Sequence, residues 1–268
     1  MKYLPLIWRN LGRRKIRTIF TTLSVFIAFL LFGVLMAIKA AFGMGIEVAG
    51  ADRLMMIHKV SFIQPLPKSY LERLRTVEGI TTITHANWFG GIYQDPSNFI
   101  ANMAVDPETW LEMYPEFILP EEQKQAWFAN RIGAIVGIDT ATRYGWKVGD
   151  RIPLQGTIYR KPDNSPWEFV IEGIYDSPVK GTDKTQLFFH YEYVNQTMRN
   201  TAFSDQVGWY IVRVENPAEA DAVARRMDAM FANSPAETKT ATEKAFVSDF
   251  AKQVGDIGEI MTAIAAVV

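Results

Sequence analysis

Cysteine is absent from all 268 residues, which removes disulfides, thiolate catalysis, Cys-ligated zinc and iron-sulfur clusters together. The redox compartment stays open, because a bacterial periplasmic domain lacks cysteine as easily as a cytosolic one. Histidine is scarce: His58, His85 and His190 are widely separated, none in an HExxH or HxH spacing. They read as ordinary surface or core residues rather than metal ligands. No G-x-S-x-G elbow occurs and no G-x-G-x-x-G follows a strand-like run. Gly181-Thr182-Asp183-Lys184-Thr185 lacks the G-x-x-x-x-G-K spacing that lets backbone amides cradle a phosphate, so it reads as a loop. Glu121 with Glu122, and Glu108 with Glu112, are carboxylates of the kind any solvated helix face carries, not a glycosidase pair. No catalytic, cofactor or metal residue is expected, and the chain is expected not to be an enzyme.

Acidic residues are missing before Glu47, while Lys2, Arg9, Arg13, Arg14, Lys15 and Arg17 place six positive charges in the first 17 residues. The net charge of −1 hides this asymmetry, since the rest of the chain carries 22 basic against 29 acidic residues. Such a balance excludes a nucleic-acid binder, whose basic face would lie on the folded domain and not on a short tail. A hydrophobic content of 49% excludes a disordered chain.

Charge is missing again from Thr18 to Ile38, 21 residues whose helical length matches the roughly 30 Å hydrocarbon core of a bilayer. Six positives before this run and the single Lys39 after it place the N-terminus in the cytoplasm and the chain beyond Lys39 outside. A cleaved signal peptide is the competing reading, with Ala49-Gly50-Ala51 as its cleavage string. The apolar run is too long for a signal's core, and the string lies too far beyond it. A buried core helix would not have flanks so uneven in charge.

Within residues 1–17, Leu4, Ile7, Trp8 and Leu11 fall on one helical face and Lys2, Arg9, Arg13 and Arg17 on the other. This pattern predicts a cytoplasmic amphipathic helix on the inner leaflet, with Trp8 at headgroup depth and the basic side toward anionic lipid. The residues expected to contact the membrane surface or a partner are Lys2, Trp8, Arg9, Arg13, Arg14, Lys15 and Arg17. The simpler role is to set topology; the sharper one adds contact with a cytoplasmic partner.

From residue 39 to 256 an extracytoplasmic α+β domain is expected. Its strand candidates are Leu54–His58, Phe99–Val105, Ile132–Ile138, Phe169–Tyr175 and Trp209–Val214. Asn216-Pro217-Ala218-Glu219 opens a helix with Val223, Met227, Met230 and Phe231 on one face. Pro67–Val77 reads as another, stopped by Gly79, and Asp139–Tyr144 as a short one stopped by Gly145, with Lys147–Asp150 turning into a strand at Arg151–Leu154. Arg160–Pro166 and Ser177–Thr185 read as exposed loops. The aromatic segment 107–128, with Trp110, Tyr114, Phe117, Trp127 and Phe128, reads as core or docking surface rather than a substrate pocket. Thr242 caps a final helix bearing Phe246, Val247, Phe250 and Val254, which runs into the apolar 257–268. This last stretch is either a final docking segment or the start of a second transmembrane helix, and the second is expected.

The order of these features resembles the FtsX-like and MacB-like permease subunits of ABC transporters. Residues that carry the resemblance are Trp8–Thr18 before the first span and Val77-Glu78-Gly79-Ile80 as a strand opening after a first helix. Ile135-Val136-Gly137, Tyr144–Asp150, Phe169–Ile174 and Gly255–Ile260 extend it over essentially the whole chain. The resemblance implies a MacB-type periplasmic core domain between two spans of a bacterial inner-membrane protein. It implies a cytoplasmic ATPase subunit and a second permease subunit as partners, in some cases a periplasmic adaptor protein, with no nucleotide bound by this chain. The chain is therefore expected to be the front of a longer membrane protein, with the rest of span two and spans three and four of such permeases beyond Val268. The alternative of another class is a single-span anchored sensor or binding domain, which would need a cytoplasmic output that 17 residues do not supply.

The topology is directly testable on this cysteine-free background. A cysteine placed at Ser165 should label from outside intact cells and one at Asn10 should not; the reverse pattern overturns the orientation.

Overall fold

The computed structural model describes residues 15–48, 50, 52–246, 248 and 249. The first helix, α1, spans Lys15–Val48. Its stretch Lys15–Val34 is apolar and long enough to cross a membrane, and none of it is buried. Ile19, Phe20, Phe26 and Phe29 are all exposed, which is the pattern of a helix whose solvent is lipid. The helix does not stop at Ile38. It continues for ten residues, so its 34 residues rise about 51 Å and exceed a hydrocarbon core. A compact unit covers Val48–Phe246.

That unit is built on one ten-stranded mixed sheet. Its strands are β1 (Arg53–His58), β3 (Ile80–Trp88), β4 (Gly91–Ile92), β5 (Asn102–Val105), β6 (Gly133–Gly137), β7 (Arg151–Gly156), β8 (Trp167–Tyr175), β9 (Leu187–His190), β11 (Trp209–Val214) and β12 (Thr238–Thr242). They lie in the order β12-β1-β11-β3-β5-β9-β6-β8-β7-β4, and β2 (Leu66–Pro67) pairs separately with β10 (Gln206–Val207). Pairing is parallel between β5 and β9 and between β6 and β8, and antiparallel elsewhere.

Helices cover both faces, so the central strands are buried throughout: every residue of β5 and β6 is buried. On one face lie α2 (Tyr70–Leu74), α5 (Ile138–Tyr144), α6 (Tyr191–Thr197) and α7 (Ala220–Met230), over Leu54, Val136, Phe189 and Val212. On the other lie α3 (Pro107–Met113) and α4 (Glu121–Ala129), over Ile135, Phe188 and Ile211. Toward the sheet's end, β7 and β8 alternate strictly, with Trp167, Phe169, Ile171 and Tyr175 inward.

Most expected elements form, with shifted limits. Trp209–Val214 is a strand as expected, and Arg53, Trp167 and Gly133 replace the expected first residues of three others. Phe99–Val105 shortens to Asn102–Val105. Asn102 bonds the Gly91 amide through its Oδ1 (2.7 Å) and the carbonyls of Gly91 (2.8 Å) and Ile100 (2.7 Å) through its Nδ2. A side chain thus takes the place of the ladder there. Pro67–Val77 is not one helix: Leu66–Pro67 pairs with Val207 and Gln206, and only Tyr70–Leu74 is helical. The Asn216 side chain caps the next helix at the Ala218 amide (3.1 Å), but its first turn is 3-10 before α7 begins. Thr242 Oγ1 accepts from the Ala245 amide (3.1 Å), and residues 243–246 and 248–249 are helical. The expected second span at 257–268 lies outside the described residues.

Two glycines separate two reasons for having no side chain. Gly145 closes α5 with φ +70°, and a Cβ there would touch nothing, so only backbone conformation opposes Gly145→Ala. At Gly137 a Cβ would sit 1.9 Å from the Lys184 carbonyl oxygen, because the loop before β9 bonds back on both sides of it. Denaturant melts should show a loss of about 1 kcal/mol for Gly145→Ala and roughly 3 kcal/mol or more for Gly137→Ala. Equal losses would refute the close-approach account.

Candidate functional site

The chain joins the sheet at β1 and leaves it from β12, and these strands are antiparallel neighbours with Leu54 opposite Thr242 and His58 opposite Thr238. The next pair outward in this register is Arg53 with Glu243, where the ladder gives way to helical backbone. Side chains close that end. Arg53, 6% exposed, donates from Nε to Glu243 Oε2 (2.7 Å) and places Nη1 3.0 Å from Glu116 Oε1. Its guanidinium lies 4.6 Å from the Tyr114 ring centroid, and the Tyr114 hydroxyl donates to Glu243 Oε1 (3.1 Å).

The C-terminal turn of α3 is the common anchor. Its Met113 carbonyl accepts from Arg213 Nη2 (2.6 Å) and from Arg53 Nη1 (3.5 Å), and its Glu112 carbonyl from Arg213 Nη1 (3.2 Å). Two cations thus satisfy carbonyls that a helix end leaves unpaired. Arg213 Nε also lies 3.2 Å from Asp52 Oδ2, and Thr82 Oγ1 donates to Glu112 Oε1 (2.8 Å). Burial disfavours the charge on Arg53, yet Glu243 and then Glu116 outweigh it and hold its pKa above the ordinary arginine value. The Tyr114 hydroxyl is pushed well above 10, first by burial and then by Glu243, so it stays a donor. Removing one member of such a buried set leaves an uncompensated charge, at a cost of about 3–5 kcal/mol.

At the opposite end of the sheet the surface turns apolar. Val60, Phe62 and Ile63 project from the loop after β1, with Phe62 stacked on Trp209 at 5.0 Å, and Phe99 stacks on Trp88 at 6.1 Å.

Of the residues expected at a membrane surface, Lys15 and Arg17 are exposed in the first turn of α1, while Lys2, Trp8, Arg9, Arg13 and Arg14 lie outside the described residues. The aromatic segment 107–128 resolves as core: Trp110, Tyr114 and Trp127 are buried under the sheet, with Phe117 and Phe128 packed against the same cluster. Asp183 Oδ1 binds the Thr185 amide (2.8 Å) in a local turn and Lys184 pairs with Asp176 (3.1 Å), as suits a loop. The interacting residues Arg53, Glu116, Glu243 and Arg213 carried no motif. The nearest signal was a lone Arg opening an apolar strand.

The model of the MacB-like periplasmic core domain matches residues 18–230. The chain belongs to this MacB-like family. Among solved structures it resembles the extracellular domain of the noncanonic ABC-type transporter YknZ from Gram-positive bacteria. The identity is 8% and the TM-score 0.48, covering 71% of this chain and all of that one. A domain of a protein described as a permease from Porphyromonas gingivalis is similar at 16% identity and TM-score 0.44, covering 71% of this chain and 89% of that one. No curated protein matches. An exposed apolar helix followed by a MacB-like domain fits a membrane-anchored protein with an extracytoplasmic part.

Within this MacB-like domain the three histidines have separate structural roles. His58 Nδ1 accepts from the Val60 amide (3.2 Å), and His190 Nε2 lies 2.7 Å from the Trp127 carbonyl oxygen. His85 is buried against the Tyr191 and Tyr210 rings. Burial lowers its pKa from 6.5 to about 4, a shift that Asp106 and Glu192 oppose and Lys68 reinforces. Between those values the unfolded chain holds a proton that the native state excludes. Stability is therefore lost as pH falls from about 6.5 toward 4, by about 3 kcal/mol. Urea midpoints across this window should fall more steeply for the natural chain than for His85→Phe, which keeps His190 and the carboxylates. Parallel curves would assign the acid sensitivity elsewhere.

Proposed function

We propose that this chain acts in the permease subunit of an ABC transporter of the bacterial inner membrane, with its N-terminus cytoplasmic and the MacB-like domain periplasmic. The observation that carries this reading is the family match over residues 18–230, a stretch that opens on the apolar helix Lys15–Val34. A partner subunit supplies ATP hydrolysis in the cytoplasm, and a second permease subunit completes the membrane unit. Motion of the spans reaches the domain through β1 and β12, and drives export or extrusion of a substrate. The adjacency of these two strands supports the reading, because a push on the membrane side acts on one edge of the sheet rather than on two distant points. The apolar end with Val60, Phe62, Ile63 and Phe99 suits an adaptor protein. The basic row Lys2, Arg9, Arg13 and Arg17, with Arg14, Lys15 and Trp8, faces anionic lipid or the partner ATPase.

Purified alone in bilayers, the chain should neither bind ATP at micromolar concentration nor hydrolyse it, and it should copurify with an ABC ATPase whose turnover it alters. Lys184→Ala should change neither result. Nucleotide binding by the isolated chain, or the failure of any ABC ATPase to associate, overturns the permease reading.

A further inference from the structure

The backbone ladder between β1 and β12 ends at Leu54 opposite Thr242, and beyond it nothing in sheet pairing fixes the direction in which residues 243–246 leave. The side chains around Arg53 act at that position. Glu243 is the first residue past the ladder, and both of its carboxylate oxygens are engaged: Oε2 by Arg53 on the neighbouring strand and Oε1 by Tyr114 just beyond α3. Arg53 in turn reaches Glu116 and the Met113 carbonyl, and Arg213 on β11 holds the Met113 and Glu112 carbonyls from the sheet side. The incoming strand, the outgoing helix and the end of α3 therefore share one buried set of charges. Loss of Glu243 leaves Arg53 with Glu116 and the Met113 carbonyl but frees residues 243–246 from the neighbouring strand, while loss of Arg53 leaves the largely shielded Glu243 carboxylate with only the Tyr114 hydroxyl against it.

We propose that Arg53 is the positioning residue of a clasp that locks the outgoing helix to the incoming strand, so that both connections to the membrane segments move together and displace α3 with them. The clasp itself is a property of the fold. Its use in coupling rests on the permease reading.

The test uses the full chain in nanodiscs with spin labels on introduced cysteines. A pair at Thr81 and Lys244, both exposed, reports the outgoing helix against β3. A pair at Thr81 and Lys239 reports whether β12 stays in the sheet. The natural sequence should give one narrow distance for each pair. Arg53→Met and Glu243→Ala should each add a second, longer population to Thr81–Lys244 while leaving Thr81–Lys239 unchanged. An unchanged Thr81–Lys244 distribution in folded Glu243→Ala overturns the clasp. If Arg53→Met broadens both pairs it has failed to fold, and Glu243→Ala decides. With the partner ATPase present, the same variants should lower the chain's effect on ATP turnover by about tenfold, inside the range of ordinary coupling energies. Full coupling in a variant whose clasp has opened overturns the role in transmission. Absence of any effect by the natural chain counts against the permease reading and leaves the distance result standing.

Discussion

A guanidinium cut off from water must find its counter-charges inside the protein, and Arg53 finds them on Glu116 and on Glu243, which lies 190 residues away in sequence. Much of the architecture at this end of the sheet serves that requirement. The β1–β12 register brings Glu243 across from Arg53, α3 ends where its last carbonyls face two arginines, and Tyr114 shields the pair while occupying the remaining carboxylate oxygen. Ion pairs of this kind are weak evidence for net stability, because desolvation offsets most of the attraction. What these contacts do is join three segments, β1 through Arg53, the turn after α3 through Glu116 and Tyr114, and the chain after β12 through Glu243.

The sheet supports that arrangement because it is covered on both faces. Trp110, Tyr114, Phe117 and Trp127 bury a second cluster beneath it, with Tyr175 and Phe188 from β8 and β9. This aromatic layer packs α3 against strands at the middle of the sheet, so the helix end that Arg53 and Arg213 grip is tied to the sheet as well. On the other face, His85 is buried against the Tyr191 and Tyr210 rings, and that burial keeps the imidazole neutral through the mildly acid range.

A domain whose two chain connections are neighbouring strands can be displaced as one body by whatever moves those connections. A MacB-like domain behind an apolar helix suits such a role. The two ends of the sheet are chemically different as well, with buried charge where the chain passes in and out and exposed apolar side chains at Val60, Phe62, Ile63 and Phe99 opposite.

Several parts of this protein are dictated by local sequence. The charge-free run after a basic N-terminus marks the α1 helix, because a span is a composition signal that needs no partner. Trp209–Val214, the Asn216 and Thr242 caps and the Gly145 stop were legible because their causes lie within a few residues. Other features were not. Leu187–His190 is four residues long, too short for any period to distinguish strand from loop, and it is a strand only because β5 and β6 accept it on either side. Leu66–Pro67 left its expected helix because Gln206–Val207 pairs with it. Tertiary structure alone decided the clasp. Arg53, Glu116 and Glu243 each look like ordinary surface charges in sequence, and only the sheet order, which sets β12 beside β1 with α3 below, buries Arg53 and brings the two largely shielded carboxylates onto it.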